Sequence, residues 1–385
     1  MTTSFSLLDE LKANLAGLAH DHLLRSRRTV DSAQGVHIQV DGKTLLNFCG
    51  NDYLGLANDG RLKAAAIAAI DTYGVGSGAS HLVCGHQLPH AQLETAFAAF
   101  VGLPAAISFA TGYMANLGVI TSLVGRGDAV FADRLNHASL NDACVLSRAE
   151  FHRFPHNDLA ALERQLAASP AKRKLIAVDA VYSMDGDLAP VAGLLALAEQ
   201  YDAWLYLDDA HGFGVLGEGH GSLAHWSVRS PRLIYLATLG KAVGTSGAVV
   251  AGDAGLIDWL VNKARTGIYT TAAPAAIAAA TLAALDLIRD EPGRRDALAA
   301  SIERLQRGLA DSPYALLPSS TAIQPIIVAS NEQALHLSRA LFERGLWVAA
   351  IRPPTVPTPR LRITVSAAHT AADIDHLVSS LLALA

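Results

Sequence analysis

In the stretch RLIYLATLGKAVG, residues 232–244, an apolar run closes on Thr238 and a single ammonium, Lys241, follows it. An exposed turn accommodates such a lysine. A buried one keeps its amine partly neutral, fit to act as a nucleophile or a base. Comparable side chains follow other apolar runs. Asp208, Asp209 and His211 come after AWLYL, Tyr182 and Ser183 after KLIAVDAV, and Gly112 and Tyr113 after AAISFA, while His137 lies in RLNHASL beyond DAVFAD. Each alone suits a satisfied turn residue. Together they set an amine, carboxylates, imidazoles and hydroxyls at successive run ends, in a chain only 17% charged.

These runs, with GAVVAG, read as strands, and helical patterns such as PVAGLLALAEQY separate several of them. A repeat of about thirty residues is the length of a β-α-β unit. The expected fold is α/β, a large doubly wound and mostly parallel sheet covered by helices, with a smaller α/β domain from the two chain ends. In such sheets ligands bind at the carboxyl ends of the strands. The expected domains are 51–287 for the large one and 288–385 for the small one. Residues 1–50 join the latter, as an N-terminal amphipathic helix and a hairpin at VHIQVDGKTLLNF. The stretch Thr266 to Leu285 is expected to be a helix packed inside the protein, and LWVAAI a single strand.

With 385 residues, 51% of them hydrophobic, the chain can bury a large core. A net charge of -5 without a basic stripe argues against nucleic acid. The N-terminus carries Asp9 and Glu10 in its apolar pattern, unlike a signal peptide, and no run suits a membrane span. Cys49, Cys84 and Cys144 are widely spaced, form no metal pattern and read as small buried residues of a reducing, cytoplasmic compartment.

The strand-end set suits an aldehyde cofactor held as an imine. Pyridoxal phosphate needs a lysine amine, a carboxylate beside its pyridine nitrogen and a phosphate cradle. Lys241 and Asp208 supply the first two. Gly112 and Tyr113 open a helix whose free N–H groups and positive dipole end attract phosphate, with the Thr238 hydroxyl beside them. His137 can stack on the ring and His211 bond its hydroxyl, although both could be structural, and Ser183 could cap a turn. Two rivals are weaker. GFGVLG, residues 212–217, fits the GxGxxG pattern of a nicotinamide oxidoreductase, but DDAH intervenes and no good helix follows. A metal site at DDAH lacks tight ligand spacing, and a solvated turn is the simpler reading.

The motifs NDYLGL, RLNHASL, FHRFPHNDL, VYSMDGDLAP, LDDAHGFGVLG, TLGKA, AIQPIIV and AIRPPTVP resemble, almost end to end, the α-oxoamine synthases, fold-type I pyridoxal-phosphate transferases. The resemblance implies that Lys241 bears the cofactor, that Asp208 pairs with its ring nitrogen, and that His137 stacks on it and meets substrate. It assigns the ring-hydroxyl region to His211 and Ser183, and the phosphate to Gly112, Tyr113 and Thr238. Arg25, Asn51 and Thr355 would contact substrate, with Arg352 as a bidentate carboxylate clamp. A homodimer with shared active sites is implied, Thr270 or Thr271 reaching the partner's phosphate. The AIRPPTVP ending resembles the biotin-pathway branch, which condenses L-alanine with pimeloyl-CoA or a pimeloyl-carrier protein. The glycine-using branches and a non-catalytic partner subunit of the same fold are the alternatives. Departures at Ala79, at Phe213 and in the short segment after Thr355 touch the acyl contacts and not the imine.

Overall fold

The structure is a computed structural model that describes residues 6–385. Two compact units make it up: residues 1–50, 184–186 and 298–385 form one, and 51–183 with 187–297 the other. Residues 288–297 go with the large unit for a local reason. Arg294 there donates to the Leu54 carbonyl at 2.9 Å and to Asp59 at 3.1 Å.

The large unit is built on seven strands: β1 (Ala105–Phe109), β2 (Ala129–Asp133), β3 (Glu150–Phe154), β4 (Lys174–Asp179), β5 (Ala203–Asp208), β6 (Leu233–Thr238) and β7 (Ala248–Gly252). Their order across the sheet is β1-β7-β6-β5-β4-β2-β3, and only β7 runs antiparallel to its neighbours. Helices cover the faces, so the central strands are apolar throughout rather than alternating; every residue of β2 and β7 is buried. Strand β3 was not expected. It is an edge strand carrying Glu150, His152 and Arg153, whose charges mask the pattern and guard the open edge.

Two helices matter for the site. Helix α1 (Gly112–Leu123) starts directly after β1, with the Thr111 side chain accepting from the Met114 N–H. Helix α2 (Ala138–Ser147) follows β2 and is capped by His137. The stretch Thr266 to Leu285 is not one helix. A short turn over Arg265–Ile268 gives way to a loop, and the helix begins only at Ala275, because Pro274 sits best at a helix start.

In the small unit, strands His37–Val40 and Lys43–Asn47 form the expected hairpin around Asp41-Gly42, both at positive φ as a two-residue turn demands. Ile38, Val40 and Leu45 make its core. LWVAAI proves to be two strands. Leu346–Trp347 joins the hairpin and Ala349–Ile351 joins a four-stranded antiparallel sheet, pivoting on the fully buried Val348. The helix Leu7–His20 has the expected apolar spacing but buries none of its residues. Among the described residues no helix is long and apolar enough to cross a membrane.

Candidate active site

A cavity of about 180 Å³ opens at the carboxyl ends of β4, β5 and β6. It is lined by Gly112, Tyr113, Asn116, His137, Ser139, Asp179, Ser183, Asp208, Ala210, His211, Thr238 and Lys241. All eight residues expected to hold the cofactor are among them.

Lys241 is aimed by a tight turn. Gly244 N–H bonds back to the Lys241 carbonyl at 2.8 Å, and Thr245 N–H to that of Leu239 at 2.8 Å. Gly244 has a φ of 74°, and a Cβ on it would lie 2.5 Å from the backbone nitrogen of Ala57, so only glycine closes this turn. The half-buried ammonium donates to Thr238 Oγ1 at 3.2 Å. The residue is therefore a strand-end amine facing a cavity, not a surface turn.

The segment DDAH is not solvated either: Asp208, Asp209 and His211 are all buried. The reason is the strand register, which sets Asp208 beside Asp179 on the neighbouring strand. Asp208 accepts from Asn116 Nδ2 at 2.9 Å and from the Ala210 N–H at 3.0 Å. Asp179 accepts the His137 N–H at 2.6 Å. Burial, reinforced by the neighbouring Asp208, pushes the Asp179 carboxyl well above the usual range, which favours its protonated form.

His137 is exposed at the cavity, and Ser139 Oγ lies 2.7 Å from its Nδ1. Desolvation lowers its pKa, opposed by Asp208 and aided by Lys241, leaving a neutral ring. His211 Nδ1 lies 2.7 Å from Tyr53 Oη, which donates on to Asn51 Oδ1 at 3.2 Å. Asn51 thus reaches the site's periphery through Tyr53 and does not line the cavity. Tyr113 Oη donates to Asp142.

The sequence reading missed Asn116, Ser139 and Asp179. Asn116 was accessible in principle, being one helical turn beyond Gly112 on the same face. Asp179 was not, since only strand pairing reveals it. In the small unit, Arg25 Nη2 donates to Thr355 Oγ1 at 3.0 Å. Arg352 donates to the His22 carbonyl, and its Nε is buried with no partner among the described residues.

The other glycine-rich loop does not cradle a dinucleotide. A Cβ on Gly212 would meet Asp209 Oδ1 at 2.2 Å and one on Gly217 the backbone nitrogen of His225 at 2.5 Å, so these glycines serve internal packing. Only short turns follow them. His81, His86 and His90 bring ligand atoms within 4.8 Å of one another, a cluster the sequence reading did not single out. His90, however, accepts the Gln87 N–H on Nδ1 and faces the Ala273 carbonyl through Nε2 at 2.7 Å, which uses both ring nitrogens to brace a loop. Cys144 is buried and Cys49 nearly so, with thiols pushed up to about 12 by burial, whereas Cys84 is exposed, contrary to expectation.

The donor set fits pyridoxal phosphate. An amine, a carboxyl group held by two N–H donors and two imidazoles line one cavity. The N-terminus of α1 opens into it at Gly112, where a Cβ would crowd Thr238 Cγ2 at 2.6 Å. Comparison with known proteins agrees. A family model, aminotransferase class I and II, matches residues 43–381. The 8-amino-7-oxononanoate synthase of Herminiimonas arsenicoxydans is 58% identical over 97% of this chain and 99% of its own. That of Chromobacterium violaceum is 58% identical over 97% and 98%. Among solved structures, a serine palmitoyltransferase from S. paucimobilis with bound PLP and myriocin superposes with a TM-score of 0.93 at 29% identity, covering 98% of each chain. An 8-amino-7-oxononanoate synthase from Francisella tularensis gives 0.77 at 29%, covering 88% and 97%. The fold is common to both reactions, and sequence identity separates them. The chain belongs to the class I and II aminotransferase family of pyridoxal-phosphate enzymes and, within it, to the 8-amino-7-oxononanoate synthases.

Proposed function

We propose that the protein condenses L-alanine with a pimeloyl thioester, on coenzyme A or a carrier protein, releasing the thiol and carbon dioxide and forming 8-amino-7-oxononanoate for biotin synthesis. The 58% identity to synthases of that name over nearly the whole chain carries this reading. In the balance of the reaction, alanine loses its α-proton and its carboxyl group. The α-carbon bonds to the acyl carbon, the C–S bond breaks, and a proton returns to the α-carbon. When bound, pyridoxal phosphate supplies a protonated ring that takes up the electron pair left on the α-carbon.

Lys241 would hold the cofactor, and its Nζ would take the α-proton of bound alanine. Its contact with the Thr238 hydroxyl supports this, because it holds the amine at the cavity lining. Asp208 would stabilise positive charge on the ring nitrogen, and its bonds from Asn116 and the Ala210 N–H hold its carboxyl group in place for that. His137 would cover one face of the ring, and its lowered pKa favours the neutral form, which spares the site a second cation. His211 and Ser183 serve the ring hydroxyl. The first-turn N–H groups at Gly112 and Tyr113, with Thr238, serve the phosphate. Arg352 is assigned to alanine's carboxylate, supported by its unpartnered Nε, and Arg25, Thr355 and Asn51 to substrate contacts.

We also assign a homodimer. Its support is an apolar patch: the exposed Val75 precedes, and the exposed Leu82 and Val83 lie in, the short helix His81–Gly85, the exposed Tyr269 lies on a second segment, and a bridge between Ser80 and Thr271 joins the two segments. The test of the reaction is a product assay with L-alanine or glycine and several acyl thioesters. Formation of 8-amino-7-oxononanoate from alanine and pimeloyl thioester is expected. Preference for glycine with a short acyl donor would assign a different member of the α-oxoamine synthases.

A further inference from the structure

Asn116 lies inside α1, 1% exposed, and every polar atom of its amide is used. Oδ1 accepts from Tyr206 Oη at 2.7 Å, and Nδ2 donates to Asp208 Oδ2 at 2.9 Å and to Ser139 Oγ at 2.8 Å. The proton directions follow. Tyr206 has only its hydroxyl proton to give here, so it fixes which end of the amide is oxygen. Both amide protons must then point at the carboxylate and the serine. Ser139 Oγ, already accepting, has one proton left, and it goes to His137 Nδ1, which also takes the Ser139 N–H at 3.3 Å. The layout is written in two periodicities. Tyr206 and Asp208 share one face of β5, while Asn116 lies one turn below Gly112 on α1.

We propose that Asn116 is a positioning residue that keeps Asp208 ionised, so that the proton shared with the cofactor's ring nitrogen stays on that nitrogen, and that it holds His137 in a single tautomer through Ser139. The inference rests on the assignment of Asp208 to the ring nitrogen. A carboxylate stripped of donors in a buried site becomes more basic. Without Asn116 the shared proton moves towards Asp208, and the ring loses its capacity to withdraw electrons. Asp179, opposite Asp208 on the neighbouring strand, turns its Oδ2 to the His137 N–H instead.

The test uses full-length apoenzyme reloaded with pyridoxal 5′-phosphate labelled with ¹⁵N in the ring, comparing wild type, Asn116→Leu and Tyr206→Phe. The expected result is a ring-nitrogen resonance that moves towards the neutral-pyridine position in Asn116→Leu and partway in Tyr206→Phe. Cofactor affinity should fall on the order of tenfold in the leucine variant. Tyr206→Phe retains the amide and so reports even where the leucine variant fails to fold. Both resonances at the wild-type position would overturn the proposal, including the case in which the variants merely melt earlier. Wild-type protein whose bound ring nitrogen is already neutral would overturn the Asp208 assignment itself, and that outcome is distinct from a change confined to the variants.

Discussion

At the scale of single residues, the site gives two buried acids unlike surroundings. Two aspartates sit side by side on neighbouring strands, and the environment separates their roles: burial favours the protonated form of Asp179, while Asp208 has two neutral donors and no competing acid bond. On the proposed assignment, Lys241 is the group the chemistry cannot replace. Lys241→Ala is expected to fold and bind cofactor without a covalent link, with turnover down at least about a thousandfold. Borohydride reduction followed by peptide mass mapping should find the adduct on Lys241 in wild type and none in the variant. Arg352→Lys retains a cation but loses the planar fork. Its KM for alanine should rise on the order of tenfold with kcat changed less, as read from steady-state kinetics. An unchanged KM would remove Arg352 from the carboxylate site.

At the scale of elements, the strand ends are held by their own ion pairs rather than by the cofactor. His156, just beyond β3, sits 3.1 Å from Asp133 at the end of β2 and 2.7 Å from Asp187, with its ring edge-on to Tyr182. Asp133 also accepts the Leu135 and Asn157 N–H groups, which shapes the loop carrying His137. Burial opposes charge on His156, but the bonds to Asp133 and Asp187 outweigh it and raise the imidazole to about 10. Because the folded pKa lies above the unfolded value of about 6.5, the ion pair's stabilisation is complete below that pH and fades as pH rises through about 10. His156→Ala should therefore cost about 1–3 kcal/mol in urea unfolding at pH 6, and the difference should shrink towards pH 10. A pH-independent loss would mean that the ring's packing on Tyr182 matters more than its charge.

At the scale of the whole molecule, the chain leaves apolar side chains in water that a monomer has no use for. Val75, Val83 and Tyr269 are each at least 70% exposed. Sedimentation equilibrium should give twice the chain mass of 40.4 kDa. Val83→Asp should shift the protein towards the single-chain mass and lower activity with it. A wild-type monomer with full turnover would end the homodimer assignment. The superposition on a palmitoyltransferase, closer than on a synthase, places the choice of acyl donor outside the fold. It lies in side chains around a shared frame.

Much of this was legible in the chain itself. Apolar runs of strand length, each closed by a polar group, pointed to Lys241, Asp208, His137 and His211, which the structure brings to one cavity, because a buried parallel strand needs an unbroken apolar run and cannot hide a charge inside it. The stop at Pro274 and the edge strand at Glu150–Phe154 were harder, since alanine-rich helix and loop share a composition and edge strands tolerate charge. What tertiary structure alone decided is who stands next to whom. That Asp179 flanks Asp208, that Asn116 ties it to Ser139, and that Gly212 packs against Asp209 instead of a pyrophosphate all depend on strand register and helix docking. Local sequence sets the direction in which a side chain points, while contact between segments far apart in the chain exists only once the core has closed.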